Sequence, residues 1–127
     1  MITGIEHVAI YAADTAALKD WYMKMFDFKV VYDNGKGTYF LLAPNGAMIE
    51  FVKASEIGEK MGDKVSGIRH LALSVDNFEE MVDKLMAEKV EIVAEPVVSS
   101  KGIKTFFFRD PEGNVLHLIY RPEPLVK

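Results

Sequence analysis

Three histidines and one glutamate stand at positions that a repeat in the chain makes equivalent. His7 closes the opening Gly4-Ile5-Glu6-His7, and His70 holds the same place in Gly67-Ile68-Arg69-His70. Glu50 lies six residues after Pro44 and His117 six after Pro111, each a polar group inside an apolar run. These positions include every histidine of the chain. Imidazole and carboxylate are side chains that ligate divalent cations and that move protons near neutral pH. There is no cysteine, so disulfides, thiolate ligands and a nucleophilic thiol are excluded together, and any metal site must be built from nitrogen and oxygen.

The repeat runs further than these four residues. Thr38-Tyr39-Phe40-Leu41 matches Thr105-Phe106-Phe107-Phe108 at the spacing that separates the two prolines, so the chain is an internal duplication. Two copies of about sixty residues would each be marginal alone. With half of its 127 residues hydrophobic, the chain is expected to form one domain, 1–127, with a shared core. A formal charge of −4, from 19 acidic and 15 basic residues with no block of one sign, gives no electrostatic footprint for nucleic acid. No basic segment with an apolar run precedes the first strand pattern, and no apolar stretch reaches membrane-spanning length. The expectation is a cytoplasmic protein with no membrane partner.

The elements that must position the four side chains follow from periodicity. Residues 5–11 alternate with a period of two, placing Glu6, Val8 and Ile10 on one face and His7, Ala9 and Tyr11 on the other. Asp14 then caps a helix carrying Leu18, Trp21, Tyr22, Met25 and Phe26 at helical spacing. Residues 29–33, 38–43 and 47–52 read as an antiparallel meander, broken at Asn34-Gly35 and at Pro44-Asn45-Gly46. The first module, about 4–53, is therefore strand-helix-strand-strand-strand. A polar link covers 53–66, and the pattern restarts in a second module over about 67–121.

In the second module, residues 68–75 repeat the first strand, and Asp76 with Glu79 reads as a capping box ahead of Phe78, Met81, Val82, Leu85 and Met86. Residues 90–94, 103–109 and 114–120 complete its meander, with a longer loop at 96–102 that could cover a site. The fold class is α+β: two tandem βαβββ modules forming a curved, incomplete eight-stranded, barrel-like sheet with the helices outside. Val8 and Ile10 would pack on the helix, leaving His7 and Ala9, with His70 and Ala72, toward the concavity. Met48, Glu50 and Val52 share one face, as do Val115, His117 and Ile119. Parity alone does not say which face, because a one-residue bulge would reverse it.

With two such modules and these four positions, the sequence resembles the vicinal oxygen chelate superfamily, the glyoxalase, bleomycin-resistance and extradiol-dioxygenase group. The resemblance covers Gly4 to about Arg121 and is nearest to the glyoxalase I-like, or lactoylglutathione lyase-like, members. Its most specific parts are the Gly-Ile-x-His opening of each module, Trp21-Tyr22 followed by Phe26-Asp27-Phe28, and Asp110-Pro111-Glu112-Gly113-Asn114. It implies that His7, Glu50, His70 and His117 form one divalent-metal site between the modules. Zinc or nickel is favoured for it, with cobalt, manganese or iron also compatible with such donors.

Two residues depart from the pattern of the relatives. His117 stands where glyoxalase I, fosfomycin-resistance enzymes and extradiol dioxygenases usually carry glutamate. Asp27 stands where relatives often have glycine, and aspartate tolerates the left-handed conformation a helix end can need. The activity implied is proton transfer by Glu50 on a small-molecule substrate that chelates the metal through adjacent oxygens, in a homodimer. Iron(II) extradiol-type oxygen chemistry and bleomycin-resistance-like binding are the alternatives. Arg69 and Arg109 could bind an acidic substrate, but they read first as surface charges, Arg109 paired with Asp110 or another acid, and Arg121 reads as facing solvent. Tyr11, Tyr39, Phe106, Phe107 and Phe108 read as core, with only those facing the concavity lining a pocket.

Overall fold

Alternating and helical periods in the first half of the chain produce β1 (His7–Ala12), α1 (Thr15–Phe26), β2 (Lys29–Asp33), β3 (Tyr39–Leu42) and β4 (Met48–Lys53). The second half repeats the order as β5 (Leu71–Ser74), α2 (Phe78–Ala87), β6 (Ile92–Val98), β7 (Lys104–Arg109) and β8 (Val115–Tyr120). This computed structural model describes residues 1–59 and 64–126. The chain divides into two compact units, Met1–Glu59 and Lys60–Lys127. The polar link expected over 53–66 includes 60–63, which lie outside the described residues. No helix among the described residues is long and apolar enough to cross a membrane.

The architecture is α+β in two βαβββ modules, and the eight strands fall into two mixed four-stranded sheets, one in each unit. In the first, ordered β1-β4-β3-β2, β1 runs parallel to β4 and the remaining pairs are antiparallel. Leu18, Tyr22 and Met25 of α1 are buried together with Leu41, Ile49 and Phe51 from the sheet, and the Tyr22 and Phe51 rings meet edge to face at 5.0 Å. The helix starts where Asp14 Oδ1 accepts the Ala17 N–H at 3.0 Å. It ends at Asp27, which takes the left-handed conformation at φ 57° and ψ 27°.

The second sheet has the equivalent order, β5-β8-β7-β6, with β5 parallel to β8. Its core joins Phe78, Val82 and Leu85 of α2 to Phe106, Phe108, Leu116 and Leu118 of the sheet, all buried. The expected capping box does not form. Asn77 is the N-cap, without a side-chain cap bond, so Glu79 falls one position short of the place a box requires and pairs instead with Lys104 of β7. The first turn still carries Glu79 and Glu80 against the helix dipole.

The expected loop at 96–102 is also corrected, because Pro96 to Val98 belong to β6. That strand lies at the edge of the sheet and carries two register shifts, so a proline without an N–H is accommodated there. Only a tight turn remains, closed by the Ser99 N–H donating to the Ile103 carbonyl at 2.8 Å and by Ser99 Oγ accepting the Ile103 N–H at 3.1 Å. A turn this short has no length to spare as a cover.

Candidate metal centre

Strand register answers the question that parity left open. In the first sheet Ala9 pairs with Glu50, Glu50 with Phe40, and Phe40 with Tyr32. In the second, Ala72 pairs with His117, His117 with Phe107, and Phe107 with Ala94. Paired residues share a face, and the flanking Ile49, Phe51, Leu116 and Leu118 are buried on the opposite, helix-bearing face. Glu50 and His117 are thus equivalent on the face away from each helix, beside alanines that leave space and phenylalanines that wall it.

In the first unit, His7 precedes Ala9 by two residues on β1 and reaches the same face. Its Nε2 stands 3.4 Å from Glu50 Oε1, with the two side chains 32% and 20% exposed. Its Nδ1 stands 2.9 Å from Glu6 Oε1. Alternation from residue 5 places Glu6 on the face of Val8 and Ile10, but β1 begins only at His7, so Glu6 is released from alternation and turns to the imidazole. A carboxylate on one ring nitrogen fixes the tautomer and ring orientation and leaves the other nitrogen as the ligating one. The Phe40 ring packs edge-on against His7 at 5.0 Å.

In the second unit, the His70 and His117 rings lie 4.9 Å apart, nearly perpendicular at 83°. Phe107 stacks on His117 at 4.0 Å and 7° and meets His70 edge-on at 5.3 Å, the counterpart of the Phe40 contact. His70 Nδ1 and both ring nitrogens of His117 are buried without a hydrogen-bond partner. Buried polar nitrogens are almost always paired, so three orphans on two neighbouring rings call for an outside electron-pair acceptor or donor. Burial lowers the pKa of His117 to about 4, helped by the charges of His70, Arg69 and Arg121. His70 is lowered too, by burial first and then by Arg69. Both rings are therefore neutral at pH 7 and able to donate to a metal ion.

The four residues thus form two pairs, His7 with Glu50 and His70 with His117. Among the described residues no three histidine, aspartate or glutamate side chains are arranged so that they alone could hold a metal ion. Within the second unit the imidazoles of His70 and His117 are donors suited to a divalent transition ion, and their orphaned nitrogens are the observation behind that fit. In the first unit His7 and Glu50 offer the same donor types.

The arginines separate. Arg109 is engaged in structure, with Nε 2.6 Å from Glu91 Oε2, and NH1 donating to the Gly113 carbonyl at 2.6 Å. Its partner is Glu91 and not Asp110, whose carboxylate is buried and accepts the N–H groups of Glu112 at 2.9 Å and Asn114 at 3.0 Å. Arg69 places its guanidinium carbon 5.0 Å from the centre of the Phe107 ring. Of the aromatic set, Phe106 and Phe108 are core, Phe107 lies in the histidine row, and Tyr11 is exposed.

A profile of the glyoxalase, bleomycin-resistance protein and dioxygenase superfamily matches residues 4–118. The chain is 32% identical to the uncharacterized protein YaeR of Escherichia coli over 123 residues, 90% of this chain and 93% of that one. It is 23% identical over 113 residues to biphenyl-2,3-diol 1,2-dioxygenase 2 of Rhodococcus globerulus, covering 88% of this chain but only 60% of the dioxygenase. Among solved structures, the fosfomycin-resistance protein FosX of Listeria monocytogenes superposes with a TM-score of 0.77 at 19% identity, over 98% of this chain and 94% of its own. That structure was solved with Mn(II) and 1S,2S-dihydroxypropylphosphonic acid.

Proposed function

The chain belongs to the glyoxalase, bleomycin-resistance protein and dioxygenase superfamily, and on that premise we propose that it is a metal-dependent, glyoxalase I-like enzyme of the lyase or isomerase type. His7, Glu50, His70 and His117 together hold one divalent ion, zinc or nickel in the first place, and the two units work as one domain. The substrate is a small molecule that offers two adjacent oxygens. The protein acts as a cytoplasmic homodimer. The observation that carries this reading is the set of orphaned, neutral imidazole nitrogens on His70 and His117.

A bound divalent ion supplies positive charge beside the substrate oxygens, where negative charge develops as a carbon-bound proton leaves. Glu50, the one carboxylate of the set, takes that proton from one carbon and returns it to its neighbour. Its partial burial, at 20% exposure, keeps the carboxylate out of bulk water while leaving it accessible from the face it shares with His7. His7 holds position through Glu6, and Phe40 and Phe107 keep water from the reacting carbons.

Iron(II) oxygen chemistry is the second reading, supported by the similarity to the biphenyl-diol dioxygenase and by the presence of histidine and carboxylate donors. A bleomycin-resistance-like binding role is the non-enzymatic reading. Elemental analysis of protein purified without chelator separates them: zinc or nickel at one ion per chain agrees with proton transfer, iron with oxygenation, and no metal with binding alone.

A further inference from the structure

We propose that Arg69 is a specificity-determining residue that selects substrates carrying an oxyanion, a carboxylate or a phosphonate, beside their two chelating oxygens. The inference rests on the metal-dependent reading and names the substrate class within it.

The two candidate arginines of the second unit divide cleanly by their contacts. Arg109 spends its guanidinium on Glu91 and on the Gly113 carbonyl, holding the start of the β7–β8 turn. Arg69 spends its guanidinium on no acid: among the described residues its contact is the Phe107 ring, 5.0 Å away. Stacking on an aromatic face orients the guanidinium plane while leaving its five N–H donors free, and their fork matches the two oxygens of a planar or tetrahedral oxyanion.

The position of that stack is what gives it function. Phe107 is itself stacked on His117 at 4.0 Å, and Arg69 is the chain neighbour of His70. Arg69, Phe107, His117 and His70 therefore make one cluster, with the exposed guanidinium at its rim and the orphaned imidazole nitrogens inside. The Arg69 charge acts on both imidazoles. A substrate oxygen pair held at the histidines would bring a neighbouring carboxylate or phosphonate within reach of a cation that nothing else in the cluster neutralises.

The experiment uses a neutral chelator and its acidic derivatives: catechol, 3,4-dihydroxybenzoate and 3,4-dihydroxyphenylphosphonate. Each is titrated by calorimetry into zinc-loaded and metal-free protein, wild type and Arg69→Gln. Because Arg69 is exposed, the variant should melt as the wild type does. The expected result is that wild type binds the acidic chelators about tenfold or more tightly than catechol, by a charge-assisted hydrogen-bond pair. Arg69→Gln should lose that preference while keeping catechol affinity, and Arg69→Lys should keep part of it. Loss for one acidic chelator and not the other tells carboxylate from phosphonate. A preference that persists in Arg69→Gln, or an equal loss for catechol and the acids, overturns the role of Arg69 and leaves the metal reading standing. Failure of catechol to bind zinc-loaded wild type overturns the metal reading, and this inference with it.

Discussion

At the scale of single residues, Glu50 carries two demands, because it is the one carboxylate among the four proposed ligands and the proposed base. Glu50→Gln keeps the size and one oxygen donor but removes the basic lone pair. Turnover should fall by roughly two to four orders of magnitude while part of the metal remains bound, as read by steady-state kinetics beside elemental analysis. Full turnover with full metal would move the oxygenation and binding readings ahead. Glu6 acts one step back, through His7 Nδ1 at 2.9 Å. Since Glu6 is 75% exposed, Glu6→Gln should weaken metal affinity only at the low end of what outer carboxylates contribute, about tenfold in a competition titration. His117 makes the prediction on pH. Its pKa is lowered from 6.5 to about 4, chiefly by burial, so the folded state binds fewer protons than the unfolded chain between those values. In metal-free protein this stabilisation is fully present above the unfolded value and is lost as pH falls through about 4, with His70 shifted in the same direction. Urea midpoints of the metal-free protein should drop across that window and drop less in His117→Phe, and a flat series would show that the ring is not buried neutral.

At the scale of elements, the turn from β7 into β8 shows how a short motif sets a site. Asp110 is buried and accepts from the backbone of Glu112 and Asn114 and from Asn114 Nδ2, so it fixes the point at which β8 begins and, seven residues on, the place of His117. Asp110→Ala leaves those donors without their acceptor and should lower stability by about 2 kcal/mol or more, a melting-temperature loss of several degrees. A change within error in thermal unfolding would mean that water replaces the carboxylate. Much of this level was readable from sequence because the signals are local: alternation for β1 and β5, the Asp14 cap, and the turns at Pro44 and Pro111. What was not readable depends on single-residue register. α2 starts at Asn77, which removes the box between Asp76 and Glu79, and β6 runs on through Pro96 because an edge strand tolerates it. Of the candidate site, the identities of His7, Glu50, His70 and His117 were visible as repeat equivalents. Their sharing a face within each unit came only from the ladder pairs of Glu50 with Ala9 and His117 with Ala72. Phe107 was visible only as the repeat equivalent of Phe40 in an aromatic run, and Glu6 left no signal beyond its place next to His7, because their roles arise from side-chain packing.

At the scale of the whole molecule, two units, each with its own four-stranded sheet, raise the question of what makes them one functional body. The exposed apolar residues on the edge strands, Val31 and Tyr32 on β2 with Val93, Val97 and Val98 on β6, are suited to burial against a second chain. The proposed homodimer is checked by sedimentation at micromolar concentration, where a monomeric mass would contradict it. The proposed metal makes the sharper prediction. An ion that binds the folded protein and not the unfolded chain stabilises by mass action, about 2.7 kcal/mol when free metal is a hundredfold above its Kd. With one pair of ligands in each unit, a single ion held by all four residues would link the unfolding of Met1–Glu59 to that of Lys60–Lys127. Zinc-loaded protein should therefore melt in one transition several degrees above the chelator-treated form, with close to one ion bound per chain. Acidification should reverse the effect as the imidazoles protonate. His70→Ala and Glu50→Ala remove a ligand from different units, and each should abolish the zinc-dependent rise in melting temperature. If either variant retains the full rise, the ion is held by one unit alone. If melting in chelator matches melting in zinc for the wild type, the shared centre is wrong.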